Sequence, residues 1–302
     1  MTLLLLACSQ PESTLSPSPV TNAPEIQAEE GPDFWEQHGD FHADIQLNHV
    51  PQGEFTMGIE MGEPDWALDH EPHLVTLSQD IWVSETEVTH EQWLAYMDYH
   101  PSEDDPLTYG SDMDCLDCPV HSVSWDEMLA FANTMSVEHG LEPCFACTGE
   151  GADVTCAVVQ DPYTCEGYRI PTEAEWEWAA MGGEDFTYPG SEDINAIGFW
   201  EENSGMQPHP VCSMETNGYG LCDMGGNIRE FTLDWYAPYG DADVENPYTG
   251  PEAGAYAAER GGSWACRRPE LRVDRRNLVF GYERDIHSGF RLARTVHADE
   301  SL

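Results

Sequence analysis

The positive charge of this chain lies in its C-terminal part, and this constrains how the chain can fold. No basic side chain precedes Arg169, lysine is absent, and nine of the eleven arginines lie between Arg260 and Arg294. The chain of 302 residues also contains 57 acidic residues, which gives it a formal net charge of −46. Guanidinium groups suit buried, bidentate pairing with carboxylates. We therefore expect most arginines to pair with carboxylates of the earlier half, and the rest to face an anionic ligand or line a peptide groove.

The net charge also excludes several classes of function. A surface this negative repels phosphate backbones and anionic lipid headgroups, so we expect neither nucleic-acid binding nor polybasic membrane docking. No stretch reaches the roughly 20 apolar residues of a membrane-spanning helix, and no Gly-x-Ser-x-Gly, His-Glu-x-x-His or phosphate-loop motif is present. The acidity is typical of a hydrated surface, and it is also compatible with a saline habitat or a cationic partner.

The N-terminus resembles the lipobox of bacterial lipoproteins. Leu-Leu-Ala precedes Cys8, which would carry the lipid, and Ser9 favours the outer-membrane type. The apolar run is short and no basic residue precedes it, so residues 1–8 are either a signal whose true start lies upstream or a chance apolar tip. Residues 9–40 are rich in Pro, Ser and Glu and read as an extended linker. We expect a lipid-anchored protein of the outer membrane or periplasm.

The other nine cysteines fall into local clusters. Cys115 pairs with Cys118 by spacing, Cys212 pairs with Cys222, and two further bridges are expected within residues 144–165. Four cysteines allow three connectivities, so the pairing within that segment stays open. Two Cys-x-x-Cys pairs could instead form a zinc site, but an exported protein favours disulfides. Cys266 is the expected free thiol.

Three helix starts are marked by capping boxes. In a capping box the hydroxyl of the first residue accepts from the backbone N–H three residues later, and the Glu or Gln side chain there accepts from the backbone N–H of the first residue. The three boxes begin at Thr89, Ser124 and Thr172. Short apolar segments at residues 73–77, 81–83 and 289–292 predict strands between long loops. The expected architecture is an irregular, loop-rich α+β domain over residues 41–295, stapled by disulfides and followed by a polar tail over residues 296–302.

A series of motifs, in one order along residues 50–294, resembles the formylglycine-generating enzyme family, also called sulfatase-modifying factors. The series comprises Gly53-Glu54-Phe55-Thr56-Met57-Gly58, Glu85-Thr86-Glu87-Val88-Thr89, Pro119-Val120-His121-Ser122-Val123-Ser124-Trp125, Arg169-Ile170-Pro171-Thr172-Glu173-Ala174-Glu175-Trp176, Asp223-Met224-Gly225-Gly226-Asn227-Ile228-Arg229-Glu230, Arg260-Gly261-Gly262-Ser263-Trp264 and Gly289-Phe290-Arg291-Leu292. The resemblance implies an irregular α+β fold related to C-type lectins.

The resemblance also implies an activity. Active members use copper(I) and oxygen to convert a cysteine of a sulfatase into formylglycine, and hold the copper between two cysteines separated by four residues. Soft thiolates suit copper(I). Cys266 matches the first cysteine and Ser263 a neighbouring serine, but Leu271 stands at the second cysteine position. The family's Gly-Asn-x-Trp-Glu-Trp segment has lost both tryptophans, one of them to Arg229.

These departures leave two interpretations of Cys266. It is either a small buried hydrophobe or a reactive thiol whose thiolate form is favoured by Arg267 and Arg268. Copper would require a rebuilt ligand, from His287 or a methionine.

The residues of the family's calcium site are retained more completely than those of its copper site. Carried over by the resemblance, its ligands are Asp223, the carbonyls of Gly226 and Ile228, and Glu230, all compatible with a hard cation; the alternative is a tight turn with a solvated glutamate. A second calcium site would involve Asn203 and Ser204, without a recognisable downstream half. Calcium is thus the expected cofactor.

Two functions follow. The first is a lipid-anchored binding or accessory module for a peptide, a protein such as a sulfatase, or a glycan. The second is a copper-dependent oxidase that forms formylglycine.

Overall fold

The computed structural model describes residues 44–58, 72–101, 115–240, 242–251 and 255–297. The predicted lipidation site Cys8, the linker over residues 9–40 and most of the polar tail lie outside these ranges. Within them, no helix combines the length and the hydrophobicity that crossing a membrane requires.

Three of the four described α-helices begin where the capping boxes predict. The four helices are α1 (His90–Tyr96), α2 (Trp125–Glu138), α3 (Glu173–Met181) and the short α4 (Ile194–Ile197). The three predicted capping boxes, at Thr89, Ser124 and Thr172, are all formed. At Thr172, the backbone N–H donates to Glu175 Oε2 at 2.8 Å while the hydroxyl accepts from the Glu175 N–H. Helix α3 ends at Gly182, whose left-handed φ of 65° suits glycine.

The strands are short and form several small sheets. In chain order they are β1 (Leu47–Val50), β2 (Gly53–Met57), β3 (His73–Leu77), β4 (Ile81–Ser84), β5 (Phe145–Thr148), β6 (Thr155–Val158), β7 (Arg229–Trp235), β8 (Val244–Glu245), β9 (Tyr256–Arg260), β10 (Asn277–Phe280), β11 (Ser288–Gly289) and β12 (Ala293–Thr295). The sheet orders are β1-β4-β12, β10-β9-β7-β11, β2-β3-β8 and β5-β6. Strand β7 pairs antiparallel with β9 and parallel with β11. This mixture of helices and small sheets is the predicted irregular α+β architecture.

Two of the three strands expected from the sequence are formed, and the third is interrupted. Residues 73–77 match β3 and residues 81–83 lie in β4. Over residues 289–292 the prediction is wrong, because the chain leaves one sheet at β11 and joins another at β12. Between them, the carbonyls of Phe290 and Leu292 accept hydrogen bonds from Val88 and Ser84 at 2.9 Å, so the segment links two layers instead of extending one.

All cysteines but one among the described residues form disulfides. The bridges are Cys115–Cys118, Cys144–Cys165, Cys147–Cys156 and Cys212–Cys222. The four local bridges are confirmed, and the open connectivity resolves into a nested pair within residues 144–165. The zinc alternative is wrong, since its four thiols are in disulfides. Cys266 is the free thiol, as predicted, and it is buried.

The buried arginines pair with carboxylates, as expected, but most of these acids belong to the later half of the chain; Arg284, which pairs with Glu127 at 2.7 Å, reaches the earlier half. Arg169 donates to both carboxylate oxygens of Glu175 at 2.7 Å. The largest such group, here named the α3 cluster, contains Glu173, Glu177, Asp234, Arg260 and Arg276. Arg260 donates to Glu173 at 2.8 Å and to Glu177 at 2.7 Å, and Arg276 donates to both oxygens of Glu173 at 2.6 and 2.7 Å. These pairs tie α3 to β9 and to the segment before β10.

Candidate functional site

Cys266 lies in the loop that follows β9, with its sulfur directed at polar groups. Arg229, the first residue of β7, donates from Nη2 to Cys266 Sγ at 3.2 Å. The Ser263 hydroxyl lies 3.3 Å from the same sulfur, and the Cys266 N–H donates to the Ser263 carbonyl at 2.9 Å. The side chains of Cys266 and Ser263 are buried, with relative exposures of 1% and 0%. The two residues predicted to be catalytic are therefore in contact, in a closed environment.

Leu271 stands where the family resemblance implies the second copper cysteine. It ends a short 3₁₀ turn over Arg268–Leu271 and is fully buried. Its Cδ2 packs against Gly262, where an added Cβ would lie only 2.7 Å away. The copper ion implied by the family does not fit these residues, because the sulfur faces a guanidinium and the matching position offers hydrocarbon. The other described cysteines are oxidised and supply no thiolate.

The cation beside the thiol is not one of the two that the sequence suggested. Arg267 pairs with Glu201 at 3.6 Å, with three quarters of its side chain exposed, and Arg268 lies over the ring of Tyr188. Arg229 takes that place as the hydrogen-bond donor, and Arg275 also interacts electrostatically with Cys266. The signal was present in the sequence, since Arg229 replaces a tryptophan of the family segment, but the position alone did not show that β7 and the Cys266 loop are adjacent.

A chain of polar contacts continues from Arg229. Its Nη1 lies 3.7 Å from Asp285 Oδ2, and Asp285 Oδ1 lies 2.6 Å from His287 Nδ1. Burial acts to raise the pKa of Asp285, but His287 and Arg229 outweigh it and hold that pKa below its ordinary value. The His287 ring stacks on Trp264 at 4.6 Å. His287, the candidate for a rebuilt copper ligand, thus has one ring nitrogen engaged with a carboxylate.

A small polar pocket opens beside this network. It is lined by Arg229, Glu259, Arg260, Gly262, Glu270, Arg275 and Asn277. The lining combines guanidinium and carboxylate groups, so the pocket suits the polar end of a side chain and not an extended apolar ligand.

A second group of buried charges, here named the Glu230 cluster, contains Glu87, Asp223, Glu230 and Arg291. Arg291 donates to both oxygens of Glu230 at 2.6 and 2.7 Å, and Trp176 Nε1 donates to Glu230 Oε2 at 2.7 Å. Asp223 Oδ2 accepts from the Cys212 N–H at 2.6 Å, whereas its buried Oδ1 has no hydrogen-bond partner. Three carboxylates thus face one guanidinium.

The turn that carries this cluster requires glycine. Gly226 has a φ of 95°, and a Cβ there would lie 2.2 Å from the Phe199 carbonyl oxygen. The glycine lets the backbone pass close to residue 199 and brings Asp223 and Glu230 to the same buried region.

The excess negative charge appears in the pKa values of the cluster. Burial raises the pKa of Asp223 to about 6, against the opposing effects of the Cys212 N–H and Arg291. Burial, together with the charges of Asp223 and Glu230, raises the pKa of Glu87 well above its ordinary range. Both carboxyls would be stabilised in the ionised form by an additional cation.

The chemistry of these donors fits calcium, with one change from the expected set. Asp223 keeps a free buried oxygen, and Glu87, whose oxygens accept from the Ile228 N–H and the Asn227 side chain at 3.3 and 3.4 Å, adds a second carboxylate. Glu230 supplies charge, but its oxygens are held by Arg291 and Trp176. Glu87 was not predicted from the sequence. The sequence feature that could have indicated this residue is its position, since Glu87 is followed by one apolar residue, Val88, and then by the helix cap Thr89.

The residues of the second expected calcium site are occupied by local contacts. Asn203 Oδ1 accepts from the Trp200 N–H at 2.7 Å, and its Nδ2 donates to Gly198 at 3.0 Å. The Ser204 hydroxyl donates to the Trp264 carbonyl at 2.8 Å, which ties this turn to the Cys266 loop. Both side chains act here as structural groups.

Comparisons with known proteins agree with this geometry. A family model described as a sulfatase-modifying factor enzyme 1-like domain matches residues 43–296. The formylglycine-generating enzyme of Streptomyces coelicolor is 30% identical over 253 residues, covering 72% of this chain and 78% of that protein. The chaperone protein LppX of Paenibacillus barcinonensis is 29% identical over 218 residues, covering 63% of this chain and 71% of LppX.

Other similar proteins carry different names. The serine/threonine-protein kinase pkn1 of Chlamydia caviae is 30% identical over 83% of this chain, but the chain spans only 38% of that protein. The solved structure of Treponema denticola variable protein 1 aligns with a TM-score of 0.70 at 30% identity, covering 82% of this chain and 94% of that one. Since the family model covers most of its length, the chain belongs to the formylglycine-generating enzyme family of sulfatase-modifying factor domains.

Proposed function

We propose that this protein is a lipid-anchored, extracytoplasmic member of the family that acts as a binding or accessory module. Its partner would be a peptide or protein, of which a sulfatase is one candidate, or a glycan. In this role the domain does not carry out copper-dependent oxidation. Its fold, which it shares with the family, presents a binding surface instead.

The observation that carries the proposal is the state of the Cys266 sulfur. It accepts from Arg229, contacts Ser263 and has a buried leucine where the second thiolate would be. Two soft ligands are needed to hold copper(I) linearly. A single buried thiol beside a guanidinium does not provide that site.

The named relatives support an accessory role. LppX bears the name of a chaperone, and the matching part of the Chlamydia protein forms a minor share of a chain named as a kinase. A domain of this kind therefore occurs in proteins whose names describe other tasks than formylglycine formation. The chaperone name favours a polypeptide partner over a glycan.

Two observations support the compartment. The four disulfides of the described residues are typical of an oxidising environment. The lipobox-like sequence at Cys8 and the linker that follows would tether the domain to the outer membrane, on its periplasmic side or beyond.

Calcium would have a structural role in this proposal. Asp223 and Glu87, with the carbonyls of Gly226 and Ile228, would hold the ion, which would neutralise the excess charge of the Glu230 cluster. The ion would fix the turn between the Cys212–Cys222 disulfide and β7, and so the position of Arg229.

The test is a direct assay of the purified, full-length protein. Copper(I) affinity is measured by competition with a coloured chelator, and a peptide with a Cys-x-Pro-x-Arg segment is incubated in air and analysed by mass spectrometry for the aldehyde. We expect no tight copper binding and no aldehyde, with the Streptomyces coelicolor enzyme as positive control.

Copper binding that is abolished by Cys266→Ser, together with aldehyde formation, would establish the alternative, a formylglycine-forming oxidase. A pull-down with the immobilised domain on a periplasmic extract, followed by a direct binding measurement with each purified protein, then tests the accessory role. Binding only to glycans on an array would exclude the polypeptide partner.

A further inference from the structure

We propose that Arg229, the cation hydrogen-bonded to Cys266, excludes copper from this site independently of the missing second cysteine. The inference rests on the proposed function, since it explains how the site is stable without a metal. It makes a separate claim, namely that restoring a cysteine at position 271 does not restore copper binding while Arg229 is present.

The first argument is the position of the guanidinium. Arg229 Nη2 lies at hydrogen-bond distance, 3.2 Å, from a sulfur that is 1% exposed. A copper(I) ion bound to that sulfur would be a second buried cation in direct contact with the first. Water is excluded from both groups, so it cannot screen their repulsion.

The second argument is that Arg229 is anchored and cannot easily withdraw. Its backbone N–H donates to the His287 carbonyl at 2.7 Å, and β7 pairs with β11 at this residue. Its Nη1 is held near Asp285, which is itself bonded to His287. Moving the guanidinium away from the sulfur would leave a buried cation and Asp285 without their mutual contact.

The third argument is the direction of the side chain along β7. Successive residues of a strand point to opposite faces. Arg229 contacts Cys266 and its neighbour Glu230 contacts Arg291, so the two adjacent residues serve two different charge clusters. The alternation of side chains along β7 therefore directs Arg229 toward Cys266 and directs Glu230 toward the Glu230 cluster.

The role of Cys266 follows from this arrangement. Its sulfur is an acceptor that, with Asp285, satisfies a largely buried guanidinium, and it is a positioning residue for Arg229 and not a nucleophile. Leu271 then needs only to fill space, which it does by packing on Gly262.

The test compares copper(I) affinity in the full-length protein for the wild type, Leu271→Cys, Arg229→Gln with Leu271→Cys, and Arg229→Trp with Leu271→Cys. Tryptophan is the residue of the family segment, and glutamine keeps a donor while removing the charge. Free thiols are counted by alkylation and mass spectrometry, and folding is checked by circular dichroism. Cys266→Ser with Leu271→Cys measures background binding.

We expect the wild type and Leu271→Cys to bind at background level. At least one folded double variant without Arg229 should bind about 100-fold more tightly, because the buried guanidinium beside the sulfur is removed. Tight binding by Leu271→Cys alone would overturn the inference, as would folded double variants that stay at background. Either result would leave the proposed function intact, since that depends on the wild type.

Should both double variants fail to fold, Arg229→Gln alone decides the point through alkylation of Cys266. We expect the rate at a fixed pH to fall, since the cation that favours the reactive thiolate is removed. An unchanged rate in the folded variant would contradict the proposal.

Discussion

The α3 cluster and the Glu230 cluster contain the same number of buried carboxylates but different numbers of cations. In the α3 cluster, Arg260 and Arg276 face Glu173, Glu177 and Asp234. In the Glu230 cluster, Arg291 alone faces the three acids Glu87, Asp223 and Glu230. The first cluster is therefore close to balance, whereas the second has a larger excess of negative charge.

Direct pairing with two arginines, and not the charge balance of the whole cluster, decides which of these carboxyls ionise easily. Burial acts to raise the pKa of Glu173, but Arg276 and Arg260 outweigh it and bring that pKa to about 2. In the same cluster, burial raises the pKa of Glu177 and of Asp234 to about 7, and in the Glu230 cluster burial raises the pKa of Asp223 to about 6. The Glu230 cluster differs in one respect: the buried Oδ1 of Asp223 has no hydrogen-bond partner, so a bound cation would stabilise the ionised carboxyl there.

The largest expected effect is the loss of the single guanidinium of the Glu230 cluster. Arg291→Met should lower the free energy of unfolding by about 3–5 kcal/mol, because it leaves buried carboxylates without a cation. Arg276→Met should cost less, since Glu173 keeps Arg260. Urea unfolding of both variants followed by tryptophan fluorescence measures the two values. An equal or larger loss for Arg276→Met would break the contrast between the clusters.

Acid should act on the α3 cluster. Because the pKa of Glu173 is lowered from 4.5 to about 2, its contribution to stability is complete above pH 4.5 and is lost as the pH falls through 2. The difference corresponds to roughly 3 kcal/mol. Urea unfolding between pH 5 and pH 2, compared with Glu173→Gln, measures this part, and the variant should show a flatter profile over that window. Parallel profiles would show that Glu173 is not the group responsible.

Calcium should distinguish the clusters most clearly. At a free concentration of about 100 times its Kd, calcium should stabilise the wild type by about 2.7 kcal/mol relative to a chelator. Asp223→Asn should lose most of this gain, because it removes a charge beside the unpartnered oxygen. Asp234→Asn, in the α3 cluster, is the matched control and should keep it. Thermal unfolding with calcium or EGTA gives both values, and equal responses in the two variants would place the ion elsewhere.

The sequence predicted the parts of this molecule that depend on local chemistry. The caps at Thr89, Ser124 and Thr172 are local hydrogen-bond patterns, and they locate three helices. Cysteine spacing predicted the bridges for the same reason, except inside residues 144–165, where several pairings were compatible with short loops. The interrupted strand after Ser288 depends on two sheets distant in sequence and was not predictable locally.

Only those features of the candidate site that involve residues close together in the sequence could be predicted. Cys266 and Leu271 belong to one short loop, so the missing ligand was evident from spacing. The contacts of Arg229 with Cys266 and of Arg291 with Glu230 span 37 and 61 positions and arise from sheet register. Charge composition predicted that such pairs exist, but not which arginine serves which acid.

The smallest expected effect concerns Arg267, which sits next to Cys266 in sequence but pairs with Glu201 at the surface. Arg267→Ala should change the free energy of unfolding by less than about 0.5 kcal/mol, because solvent screens an exposed ion pair. It should also leave the alkylation rate of Cys266 unchanged, whereas Arg229→Gln should lower it, because the cation that favours the thiolate is lost. A large effect of Arg267 on that rate would mean that sequence proximity, and not the contact across β7, sets the environment of the thiol. A null effect on both readouts would exclude Arg267 as the source of that charge, because solvent screens its exposed pair with Glu201.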